Sequence, residues 1–169
     1  GSTWVYVGHE SEVASPGSFK TSWIGRQPVI LTRDTAGALH VLFNCWSHRA
    51  ATICQDRCGV AGHLRCAYHG WTFRLDGSLI GATFSDGYAA EDFDGADHPL
   101  GRPARVDSHR GFVFASLARR GPSLRKHLGN AAHYLDLFCD LAPSGRILVG
   151  TPGTNHYGYG GNWKLQCEN

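Results

Sequence analysis

No stretch of the sequence approaches the about 18 consecutive apolar residues needed to cross a bilayer as a helix. The N-terminus also lacks the basic and then apolar layout of a signal peptide. The expectation is a soluble, cytoplasmic protein without a membrane partner. Long basic runs are missing too. The 16 Lys and Arg against 14 Asp and Glu leave a formal charge of only +2, which argues against a nucleic-acid footprint. Charged residues make up 18% of the chain and apolar residues 42%, a globular composition that gives no support to extended disorder. A start methionine is lacking as well. The chain opens Gly1-Ser2-Thr3-Trp4 and stops at Gln166-Cys167-Glu168-Asn169, in what reads as the middle of an element, so it is read as a fragment. Its 169 residues suffice for one complete domain followed by the beginning of a second.

Strand-length runs rich in β-branched and aromatic residues dominate the first two thirds: Trp4 to Val7, Pro28 to Thr32, Leu39 to Phe43, Trp71 to Arg74 and Gly111 to Ala115. Turn residues separate them. Asp34-Thr35-Ala36-Gly37 and Asp76-Gly77-Ser78 would each close a hairpin. The acidic, glycine-containing stretch 88–102 reads as a surface loop. The expected class is therefore mainly β and antiparallel over residues 1–120. After Gly121-Pro122 the pattern changes. Leu124, Leu128, Ala131, Leu135 and Phe138 fall on one helical face, with Ser123 as N-cap. Pro143 and Gly145 end that helix, and Arg146 to Val149 starts a further strand. Residues 121–169 are read as one helix and the truncated start of a second, α+β domain.

Six cysteines without an export signal read as metal ligands and buried thiols rather than as a disulfide framework. The informative segment is Cys45-Trp46-Ser47-His48, then seventeen residues, then Cys66-Ala67-Tyr68-His69. Two loops that each present a thiolate and an imidazole can build a tetrahedral zinc site or a 2Fe-2S cluster with asymmetric ligation. In the cluster, Cys45 and Cys66 would bind one iron and His48 and His69 the other. Two neutral ligands then replace two anionic ones, which raises the potential to roughly −150 to +300 mV, against about −400 mV for all-cysteine plant-type ferredoxins.

The residues around these pairs resemble a known family, the large subunits of Rieske-type aromatic ring-hydroxylating dioxygenases. The likeness rests on His48-Arg49, on Cys66-Ala67-Tyr68-His69-Gly70-Trp71-Thr72-Phe73 with Asp76-Gly77, on Gly111-Phe112-Val113-Phe114, and on the terminal Asn162 to Asn169 segment. It implies a Rieske-type antiparallel β-sandwich with a cluster-binding subdomain of two loops. It also implies that the cluster passes single electrons to a mononuclear non-haem Fe(II), held by two histidines and a carboxylate in a catalytic domain whose ligands lie beyond Asn169. This fragment would then be inactive alone. For the intact protein the resemblance implies NAD(P)H-driven ring hydroxylation or dihydroxylation, a ferredoxin or reductase donor, and a ring of three subunits, with or without a small β subunit. The segments 48–54 and 163–166 look closest to members acting on benzoate-like acids.

One departure matters. The family pattern places its first cysteine two residues before the histidine, and that position here is Trp46. In an extended segment neighbouring side chains point to opposite faces, so the one-residue displacement turns the Cys45 thiol away from its iron. The second pair works at the same three-residue offset through a turn, and the expectation is that the first loop rearranges so that Cys45 binds.

Arg49, Tyr68, Gly70 and Trp71 are candidates for the cluster's surroundings, tuning its potential by hydrogen bonds and excluding water; Gly70 also permits a tight turn. Cys54, Cys58, Cys139 and Cys167 are read as structural, and a zinc site of Cys54, Cys58, Cys66 and His69 is the alternative use of the first two. His9, His40, His109, His127, His133 and His156 are assigned surface or capping roles. His63 is placed near the cluster without touching iron. Two other classes compete with the oxygenase: a standalone Rieske ferredoxin, which needs nothing after the β domain, and a zinc-bearing interaction module, which would be colourless.

Overall fold

The computed structural model describes residues 3–46, 51–83, 98–150, 158, 160–162 and 164–165. Among the described residues, ten strands form three antiparallel sheets. The central sheet has the order β4-β3-β2-β5, built from β2 (Ser18–Ile24), β3 (Gln27–Arg33), β4 (Leu39–Phe43) and β5 (Cys58–Val60). A second sheet, β1-β10-β9, pairs β1 (Val5–His9) with β10 (Phe112–Ser116) and β10 with β9 (Arg105–His109). The third and smallest sheet is β6 (Leu64–Arg65), β7 (Thr72–Phe73) and β8 (Leu79–Gly81).

The run Val29-Ile30-Leu31-Thr32 in β3 is buried without interruption, because this strand is covered on both faces. Ile30 and Leu42 face one core, shared with Leu64 and Phe73 of the small sheet. Val29, Leu31 and Val41 face the other, shared with Val7, Val113 and Ala115 of the β1-β10-β9 sheet. The central sheet thus separates a two-sheet sandwich from a smaller subdomain, and the mainly β expectation holds.

Both expected hairpin turns form. Asp34 Oδ1 accepts from Ala38 N at 2.8 Å and joins β3 to β4. In the second turn, Arg74 N donates to Ser78 O at 2.8 Å and Asp76 Oδ1 accepts from Ser78 N at 2.8 Å, joining β7 to β8.

The single expected helix is corrected to two, α1 (Leu124–Leu128) and α2 (Ala131–Asp140). Ser123 caps α1 as expected, its Oγ accepting from Lys126 N. The chain breaks at Gly129, whose φ is 51°, and the break resets the phase. The buried residues of α2 are Ala132 and Cys139, while Phe138 is exposed. The expected strand at 146–149 is likewise irregular backbone. It is held by Ser11, whose Oγ accepts from Val149 N at 2.8 Å and donates to Val149 O at 3.1 Å. Most of the 88–102 stretch lies outside the described residues.

Candidate metal-binding loops

The second Cys/His pair sits in the tip of the small sheet. Residues 66–71 connect β6 to β7, and their backbone closes on itself. Cys66 N donates to Trp71 O at 2.8 Å and Gly70 N donates to Cys66 O at 2.9 Å. Gly70 makes this turn with φ 73°. A Cβ there would stand 2.5 Å from Thr83 Oγ1 and 3.2 Å from the Arg65 guanidinium, so the expected turn role has both a conformational and a steric basis. The result is a buried thiol and an exposed imidazole within one turn. Cys66 is 1% exposed, within the core. His69 is on the exposed side, with its ring 4.2 Å from that of Tyr68, itself 61% exposed.

The first pair is organised differently, because β4 ends at Phe43 and the chain bends at Asn44 and Cys45. Asn44 is buried and clamps the returning limb of the loop, its Oδ1 accepting from Cys54 N and its Nδ2 donating to Cys54 O, both at 2.8 Å. Trp46 N donates to Ala51 O at 2.9 Å. The indole of Trp46 is 5% exposed and belongs to the same core as Cys66. Its ring centroid is 5.0 Å from those of both Trp71 and Phe73. Cys45 faces the other way, its sulfur accepting from Gln27 Nε2 at 3.4 Å.

His48 and Arg49 lie outside the described residues. Among the described residues no group of three or more His, Cys, Asp or Glu side chains is placed to hold a metal ion. Cys45 therefore does not join Cys66 and His69 in this conformation. The alternative zinc set is not assembled either. Cys54, Cys58 and His63 line one recess of ≈ 300 Å³ beside β5, while Cys66 is enclosed in the core. Burial pushes the Cys54 thiol above its usual range, against the opposing effect of its hydrogen bond with the Asp56 backbone, as suits a structural cysteine. Cys139 is buried in α2.

Several histidines do local work. The His9 ring accepts from Ser11 N and caps a short 3-10 helix at Glu10–Val13. His40 pairs with Asp34 at 2.8 Å and His109 with Asp136 at 2.8 Å. Sequence reasoning missed Asn44 and Gln27, the two side chains that fix which way the first loop's stem faces. Their partners Cys54 and Cys45 are ten and eighteen residues away, so no short motif announces them.

The donor types suit an iron–sulfur cluster: a core-side thiol and a solvent-side imidazole on one tight turn, with a second Cys/His pair on the neighbouring loop. The arrangement of the first stem does not yet suit it, since an indole rather than a thiol faces Cys66's side.

A family model described as the Rieske [2Fe-2S] domain matches residues 3–89. The chain is 38% identical to the toluate 1,2-dioxygenase subunit alpha of Pseudomonas putida, over 98% of its own length and 37% of that protein. It is 41% identical to the anthranilate 1,2-dioxygenase large subunit of Acinetobacter baylyi, over 98% of its own length and 35% of that protein. In structure it resembles naphthalene 1,2-dioxygenase from Rhodococcus sp., with a TM-score of 0.77 at 32% identity, covering 82% of this chain and 31% of the other. The chain thus spans little more than a third of the length of these curated relatives.

Proposed function

We propose that this chain, which belongs to the Rieske [2Fe-2S] domain family, is the electron-relay part of an aromatic ring-hydroxylating oxygenase. The observation that carries the reading is the turn 66–71. It presents one buried thiol and one exposed imidazole on a loop closed by its own backbone, inside the segment that the family model matches. Cys66 and His69 would hold the cluster from this loop, and Cys45 and His48 from the first. A bound Rieske cluster takes up and releases single electrons at a potential well above that of plant-type ferredoxins.

The chain's own side chains divide the work around it. Phe73 and Leu64 are buried beside Cys66, with the partly buried Trp71 packed against them, and so keep water from the thiolate side. His69 and Tyr68 lie on the exposed side, where a donor can approach. Arg49 and Gly70 complete the proposed surroundings, Gly70 by shaping the turn.

For the intact protein we place the Rieske domain at residues 1–120 and the start of a catalytic domain at 121–169. The catalytic part would hold Fe(II) and act on an aromatic acid. NAD(P)H would supply electrons through a ferredoxin or reductase, and subunits would assemble as a ring of three, with or without a small β subunit. No described helix is long and apolar enough to cross a membrane, which accords with a cytoplasmic enzyme.

Reconstitution with iron and sulfide tests the relay. Equal amounts of both and a Rieske-type electron paramagnetic resonance signal after dithionite are expected; a chain that holds neither metal nor sulfide, even with Cys66's loop intact, sinks the reading. The oxygenase activity is tested on the full-length protein. Oxygen uptake coupled to a hydroxylated product is expected with benzoate-like acids, and its absence across aromatic acids and hydrocarbons counts against the assignment.

A further inference from the structure

Helix α2 is apolar on two opposite sides. Toward the sandwich it buries Ala132 and Cys139, with Leu135 and Asp136 half-buried between them. On the other side stand Tyr134, Leu137, Phe138 and Leu141, which are 69%, 50%, 54% and 81% exposed. Both sets repeat at i, i+3, i+4 and i+7, about half a turn apart around the helix. Leu141 joins the outer set because the C-cap keeps helical angles, φ −65° and ψ −25°. A helix that is apolar all round belongs inside a larger body, and grouped exposed side chains of this size mark a contact surface.

The inner side is fastened largely by charge. Asp136 Oδ1 lies 2.8 Å from His109 Nε2 and 3.9 Å from Arg110 Nε, and its Oδ2 lies 3.7 Å from Arg125 Nη1. Asp140 accepts from Arg110. All of these groups are partly exposed, so water and salt weaken each pair. The side chains buried inward are small, and those turned outward are large. We infer that, in the intact protein, the outer side of α2 is covered by the part of the catalytic domain that lies outside this chain. The inference rests on the reading above, which starts that domain at residue 121.

The length of the relatives supplies the occupant. This chain spans 37% and 35% of the toluate and anthranilate dioxygenase subunits, so a protein of their size has most of its residues available to cover the stripe. A second copy of this chain fits less well. Four side chains fall far short of the about 20–30 residues a side of a standard interface, and two free chains also lose translational and rotational freedom on binding. A body joined through the chain itself avoids most of that loss, so a small apolar stripe is enough to seat it.

The experiment digests this chain and the full-length protein with chymotrypsin under native conditions and follows cuts after Tyr134 and Phe138 by mass spectrometry, alongside melting temperatures. In this chain α2 opens locally and is cut readily; in the full-length protein the same cuts are expected to be at least about tenfold slower. Leu137→Asp is expected to restore cutting in the full-length protein and to lower its melting temperature, while leaving that of this chain unchanged. Equal cutting of the two parent proteins overturns the inference. So does a Leu137→Asp substitution that lowers both melting temperatures equally, which makes Leu137 part of this domain's own core. A parent chain that sediments as a dimer, with its Leu137→Asp variant a monomer, gives the stripe to a second copy and also overturns it. If full-length Leu137→Asp does not fold, Leu137→Ala takes its place under the same criteria. The relay reading is judged separately: a full-length protein that protects α2 yet holds neither iron nor sulfide after reconstitution fails that reading alone.

Discussion

The two ligand loops carry the same three-residue offset from cysteine to histidine and treat it in opposite ways. In the second loop, Cys66 and His69 lie in a turn that departs from β6 and returns to β7 within six residues, so their orientations are set by local hydrogen bonds and by Gly70. In the first, Cys45 lies in the bend that follows β4, where its sulfur meets Gln27 while the next residue, Trp46, is seated in the core. Spacing in a turn is a statement about the turn. Spacing just past a strand's end depends on the longer-range contacts that catch the chain there, here the core for Trp46 and Gln27 for Cys45.

If that contrast is right, the first stem depends on burial and the second loop on backbone conformation. Trp46→Ala should be the most damaging substitution in either loop for the metal-free protein. Emptying a buried indole site costs about 3–5 kcal/mol, and the loss is read as a lower urea midpoint. A midpoint within experimental error of the parent would mean that Trp46 is not a core residue. Asn44→Ala comes next. It removes two hydrogen bonds at 2.8 Å and leaves both polar groups of Cys54 without that partner, a cost of about 2–3 kcal/mol. Faster hydrogen exchange at the Cys54 amide would localise the damage to the first loop, and an unchanged rate would show that the clamp does not hold it.

Gly70→Ala probes the other side of the comparison. The left-handed conformation costs a residue with a Cβ roughly 1–2 kcal/mol, and the methyl group meets Thr83 Oγ1 at 2.5 Å, so the neighbour must move. The expected loss in urea unfolding is smaller than that for Trp46→Ala. Adding Thr83→Ala should return part of it by opening the space. Failure of the second substitution to recover any stability would assign the whole cost to φ.

The same distinction explains what could be read from the sequence. Both hairpin turns were legible because Asp34, Gly37, Asp76 and Gly77 act on their own neighbours. The second loop was legible for the same reason. The strand β9 was not, since Arg105–His109 is an outer strand pairing only with β10 and carries no apolar alternation. The helical face was assigned one residue out of phase because Gly129 interrupts a pattern that reads as continuous. The surroundings of Cys45 depend on Gln27, on a strand formed eighteen residues earlier, a contact that no local pattern announces.

The smallest effect tests how local the turn chemistry is. Asp76 closes the β7–β8 hairpin beneath the second loop, accepting from both the amide and the hydroxyl of Ser78. The Ser78 hydroxyl, with help from its amide and from the charges of His40 and Arg102, holds the Asp76 carboxyl below its usual range against the opposing effect of burial. A carboxyl lowered in the folded state contributes stability that is full above its unfolded pKa, about 3.9, and is lost as pH falls through the folded value. Asp76→Ala should therefore lower the urea midpoint at pH 7 by a modest amount. The gap between the variant and the parent should narrow as pH falls below about 4. A gap that stayed constant with pH would show that Ser78 is held by the shape of the turn and not by the charge on Asp76, making this hairpin as purely a backbone device as the loop above it.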